Sequence, residues 1–120
     1  MQILRTVKVK IEGVTFCLVR PTALESVEIS TQISQLHAIE GEAEVRFKEL
    51  AELYINVLSK YTKEIRDIEI ENDDGELEKV VVKSSETISY VINQIQLVTI
   101  SKLIVEFLNS LNPSESEKKS

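Results

Sequence analysis

The chain has 120 residues, 42% of them hydrophobic and 28% charged, which allows one core and leaves no room for a second. The formal net charge of −6 argues against nucleic-acid binding, because phosphate contacts need a basic stripe and none is visible. One cysteine, Cys17, excludes an internal disulfide, and the charged, alternating residues after Met1 do not read as a signal peptide, so a cytoplasmic protein is expected.

The chain opens as a β-hairpin. Val7, Val9 and Ile11 alternate with Thr6, Lys8 and Lys10. Beyond Glu12 and Gly13, Val14, Phe16 and Leu18 alternate with Thr15, Cys17 and Val19. A period of two turns one apolar face inward. Gly13 supplies the positive φ of a two-residue turn. This hairpin carries Arg5, Lys8, Lys10 and Arg20 against Glu12 alone. That distribution suits a solvated surface, or a basic sheet face that meets an acidic partner.

Pro21 ends the second strand, since proline has no N–H for a ladder. Thr22, with Glu25 three residues on, forms a capping-box signature for a first helix reaching about His37. Gly41 is a plausible break. A second helix then runs from about Glu42 to Lys63. Its residues Ala43, Phe47, Leu50, Tyr54, Val57, Leu58 and Tyr61 fall on one narrow face, which is expected to anchor the core.

A second hairpin follows. Ile68 and Ile70 alternate with acids, Asn72, Asp73, Asp74 and Gly75 carry turn chemistry, and Val80, Val81 and Val82 are a β-branched run. Ser84 or Ser85 then caps a last helix, with Glu86 in its first turn. Continued to Leu111, that helix would be about 39 Å long. Pro113 stops it, leaving 113–120 as a disordered polar tail on a single domain of residues 1–112. The expected fold is α+β: two antiparallel hairpins packed with three helices, the last one long.

Little here reads as catalytic chemistry. His37 is the only histidine and has no nucleophile or acid placed beside it by sequence, so it reads as a solvent-facing residue at a helix end. Cys17 and His37 fall short of a zinc ligand set. The acidic turn fails the calcium-loop spacing, because aligning Gly75 puts Ile70 where the first acid belongs. Glu40, Glu42 and Glu44 spread around a helix start, where the helix dipole favours acids. The three glycines are isolated, so no phosphate-binding loop is expected. The charge-free stretch 87–101 is too short for a bilayer and holds Asn93, Gln94 and Gln96. No enzyme activity, cofactor, metal, nucleic acid or membrane partner is expected.

The last helix carries two apolar stripes. Ile88, Val91, Ile92, Ile95 and Val98 share one face. Leu97, Ile100, Ile104, Phe107, Leu108 and Leu111 share another, more than about a third of a turn away. A straight helix cannot aim both at one core. Either the helix bends or is buried on several sides, or the second stripe meets another chain. On the latter reading Ile100, Ile104, Phe107, Leu108 and Leu111 form a protein-binding face, rimmed by Lys102 and Glu106, for a partner or a second copy.

Phe16-x-Leu18-x-Arg20-Pro21-Thr22 followed by an acidic helix start resembles the opening of small phage tail assembly chaperones. The resemblance covers the first quarter of the chain. It implies a hairpin feeding helices, a polar C-terminal tail, no cofactor, and a helper that binds the tape measure or tail tube protein during assembly. The alternatives are a small structural subunit that adds its sheet edges to neighbours in a ring or tube, and an adaptor or inhibitor.

Overall fold

A computed structural model describes residues 5–38 and 43–111, except the side chain of Leu111. The expected break at Gly41 and the polar tail 113–120 lie outside the described residues. The element order is β1 (Thr6–Ile11), β2 (Val14–Val19), α1 (Ala23–Ala38), α2 (Ala43–Tyr61), β3 (Thr62–Glu71), β4 (Leu77–Val82), α3 (Ser85–Gln94) and α4 (Leu97–Leu111). The fold is α+β. The two hairpins are joined by antiparallel β2–β3 pairing into one sheet, ordered β1-β2-β3-β4.

In the first hairpin Ile11 pairs with Val14, and the two turn residues Glu12 (φ 53) and Gly13 (φ 83) both take positive φ. That geometry matches the right-handed twist of the flanking strands. Val7, Val9, Phe16 and Leu18 enter the core while Lys8 and Lys10 stay exposed, as the period of two requires.

The β3 strand departs from simple alternation. Cys17 faces Glu64 while Leu18 faces Thr62, leaving Lys63 over. Ile65 faces Val82 while Ile68 faces Val80, so β3 has one residue more than β4 between these pairs, and Asp67 sits at φ 61. An extra residue resets which face the next side chains take. Ile65 and Ile68, three apart, can therefore both contribute to the core.

The helices start as their sequences suggest. The Thr22 hydroxyl accepts from Glu25 N–H at 3.1 Å, and Glu25 Oε1 accepts from Thr22 N–H at 2.9 Å, the reciprocal bonds of a capping box. At α3, Ser84 is the N-cap without a side-chain bond, and only its carbonyl accepts, from Ile88 N–H. In the second hairpin Asn72 Oδ1 accepts from Asp74 and Glu76 N–H.

Two expectations about helices are corrected. Four helices stand among the described residues, because the long last helix is broken at Ile95 and Gln96, where it bends by 119°. Ile95 is extended (φ −72, ψ 143), and the Gln96 carbonyl starts α4 by accepting from Thr99 and Ile100 N–H. The bend lets Ile88, Val91 and Ile92 of α3 and Ile100, Leu103, Ile104 and Phe107 of α4 reach one core. Burying each such side chain is worth about 1.5–3 kcal/mol, against a net cost of about 1 kcal/mol for each helical hydrogen bond given up.

The narrow face of α2 is in the core only at its end. Val57, Leu58 and Tyr61 are buried, Leu50 and Tyr54 are half-buried, and Ala43 and Phe47 are exposed, Phe47 to 65%. The first turns of α2 thus stay outside the buried core, although the helix as a whole also packs against α1, α3, α4 and β2.

Candidate protein-binding surface

The α4 side chains that the sequence suggested for docking lie elsewhere. Ile100, Ile104 and Phe107 are at most 2% exposed and belong to the core, with the Phe107 ring 5.9 Å from that of Tyr61. Leu108 is half-buried against the same core. The side chain of Leu111 is outside the described residues. Ile100, Ile104 and Phe107 are thus spent inside the chain, because the bend turns their stripe onto β1 and α2.

Among the described residues, a different side of α4 is left uncovered. Leu97, Val98 and Val105 are 46%, 64% and 53% exposed, beside half-buried Ser101 and Leu108. Val98 was expected in the core through the first stripe, and the bend removes it from that stripe. At about 100° per residue the flank is centred roughly 130° from the core stripe of α4. It also lies away from Thr99, which lines an inner groove of about 370 Å³ with Ile11, Val14 and Ile95. The free flank was half legible: apolar residues cover more than half of the circumference of α4, too many for one packed side.

Other apolar side chains are exposed in smaller groups. Leu24 and Val27 lie on α1, Val45 and Phe47 on the first half of α2, Leu77 and Val81 on β4, and Tyr90 on α3. The β1 and β4 strands are the sheet edges. Lys8 and Lys10 project from β1, the kind of side chain that blunts an open edge.

The surface of the sheet away from the helices is not simply basic. Cys17, on the side opposite Phe16, pairs across to Lys8 and Glu64. Glu64 is bonded to Arg66 and lies 3.6 Å from Lys83 Nζ. The Arg66 hydrogen bond holds the Glu64 carboxyl below its ordinary pKa. Burial pushes the Cys17 thiol up, which keeps it protonated and weakly nucleophilic at neutral pH.

A second polar cluster ties α1 to the end of α2. The Tyr61 hydroxyl donates to Glu25 Oε2 at 2.9 Å, and Lys60 Nζ lies 3.8 Å from the same oxygen. Burial and that hydrogen bond push the Tyr61 phenol up to about 12. The Thr22 backbone bond and the Tyr61 hydroxyl lower the Glu25 carboxyl. These bonds serve the capping box and the α1–α2 contact, so the cluster reads as structural. His37 is exposed at the end of α1.

Among the described residues no group of three or more His, Cys, Asp or Glu side chains is placed to hold a metal ion. Among them, too, no single helix is long and apolar enough to cross a membrane; α3 and α4 pass by length and composition only as a bent pair. Compared with family models, curated proteins and solved structures, the chain has no match.

Proposed function

We propose that this protein is a non-enzymatic protein-binding module that docks through the free flank of α4. The observation behind this reading is the exposure of Leu97, Val98 and Val105 on a helix whose Ile100, Leu103, Ile104 and Phe107 are packed in the core. Large apolar side chains held in line on a rigid helix lose water on docking at little cost in ordering. The resemblance at residues 16–22 supports a narrower form of the reading, an assembly chaperone for a phage tail or related particle, with the tape measure or tail tube protein as client.

The test is co-purification of the tagged chain from cells that express the surrounding genes. A protein retained in stoichiometric amount by the wild type, lost with Val98→Asp/Val105→Asp and kept with Val81→Asp on the distant β4 strand, is the expected result. A partner indifferent to the α4 pair, or no partner at all, overturns the reading.

One observation favours a second reading, a structural subunit of a ring or tube: the sheet ends in two edge strands, β1 and β4, which neighbours could extend. That reading calls for closed rings in electron micrographs of the purified chain.

A further inference from the structure

We propose that the chain forms a domain-swapped dimer, in which α3 and α4 join into one straight helix and each copy's α4 fills the α4 seat of the other. The partner is a second copy. The exchanged surface is the seat on β1 and α2 that α4 occupies in the monomer, and it is independent of the uncovered flank of α4.

The hinge is Ile95 and Gln96. From Ser85 to Leu111 the chain holds no proline and no glycine, the usual causes of a sharp kink. The bend passes instead through Ile95, which is extended at φ −72, ψ 143. The α3 ladder ends with Ile95 N–H on the Val91 carbonyl, and the α4 ladder starts with Thr99 and Ile100 N–H on the Gln96 carbonyl. The N–H groups of Gln96, Leu97 and Val98 fall between the two ladders, as at any helix start. A straight hinge would give each of them a carbonyl four residues back. The bend is therefore held by what α4 packs against, and a second copy offers the same packing. A tight hinge of this kind invites exchange.

The phase of the helix agrees. In a straight helix the core stripe of α3 (Ile88, Val91, Ile92) and that of α4 (Ile100, Leu103, Ile104, Phe107) point about 120° apart. One body cannot take both, whereas two bodies on different sides of the rod can. The α4 seat keeps its 119° turn from α3, so two straight helices cross at that angle, hinge against hinge. The two bodies then occupy the two opposite narrow sectors of the cross, clear of each other. Grooves of about 500 and 370 Å³ meet at Ile68, Gln94 and Ile95, which leaves the hinge room to open. Ile95, Leu97 and Val98, none of them fully buried in the monomer, lie at the crossing. The swap keeps the α4 contacts and adds this crossing, so concentration decides between monomer and dimer.

Refolding from urea at increasing protein concentration, followed by size-exclusion chromatography with light scattering, tests the proposal. The wild type gives a monomer and a dimer whose share grows with concentration. The isolated dimer persists for hours on dilution, because return requires α4 to leave its seat. Gln96→Pro lowers the dimer share by about tenfold or more, with a monomer that melts no lower than the wild type. Proline removes an N–H that lies outside both ladders, and it keeps the residue before it extended, as Ile95 already is. Leu97→Pro, at the first position of α4, has the same effect by a second route. Val105→Asp, outside the exchanged surface, leaves the dimer unchanged. A wild type that stays monomeric at every refolding concentration overturns the proposal. So does a dimer that forms equally well with either proline, and so does one that Val105→Asp dissolves, which would be a contact between flanks. Two proline variants that both fail to fold overturn it as well, since the bent hinge accepts proline.

Discussion

The two helix pairs of this molecule use apolar residues in opposite ways. The α3–α4 pair bends by 119° so that both of its stripes lie on the sheet. The α1–α2 pair meets the core through Ile29, Val57, Leu58 and Tyr61, while Leu24, Val27, Val45 and Phe47 stay in water. In sequence the helical spacing of Phe47 within α2 is as regular as that of Phe107 within α4. Periodicity announces that a helix has an apolar face. What that face meets is set by the tertiary fold.

The sharpest way to break this comparison is to truncate the two phenylalanines in turn. Phe107 is fully buried, so Phe107→Ala should cost about 3–5 kcal/mol in urea denaturation. A loss below about 1 kcal/mol would mean that α4 is not seated on the sheet as described.

The Tyr61 phenol, at the junction of the two pairs, offers a pH test of intermediate size. Its pKa rises from an ordinary value of 10.0 to about 12 in the fold, so the folded state keeps a proton that the unfolded chain releases. The stabilisation is complete below pH 10 and disappears as the pH rises towards 12, a change on the order of 2 kcal/mol. Denaturation midpoints measured across that window should fall more steeply for the wild type than for Tyr61→Phe. Equal slopes would show that the phenol is not held neutral by burial and Glu25.

The smallest effect belongs to Phe47. At 65% exposed, Phe47→Ser should change stability by less than about 0.5 kcal/mol. A loss comparable to that at Phe107 would place the start of α2 in the core and erase the contrast between the two pairs.

The legible parts of the fold were those set by near neighbours in the chain. The hairpin at Glu12 and Gly13, the capping box of Thr22 and Glu25, and the Asx turn at Asn72 each depend on groups within a few residues. The bulges of β3 were not legible, since a positive φ at Asp67 answers to where β4 lies and to which side the core is on. The break at Ile95 and Gln96 carries no proline or glycine, the usual marks of a kink. Its only trace was the conflict between two apolar stripes, which correctly demanded either a bend or a partner. The bend took Ile100, Ile104 and Phe107 into the core. The surface left over passes through Val98, read as core, and Val105, read as part of neither stripe.

By itself the sequence determined that this is an α+β chain with two hairpins, where most helices begin, and that its last segment holds more apolar surface than a straight helix can bury. Those properties follow from local backbone chemistry and from the periods of strand and helix. Only the tertiary structure decided that the hairpins join into one sheet, that the start of α2 stays in water, and that α4 turns Phe107 inward and Val105 outward. Each of these depends on which distant surfaces are within reach, which no local residue pattern encodes.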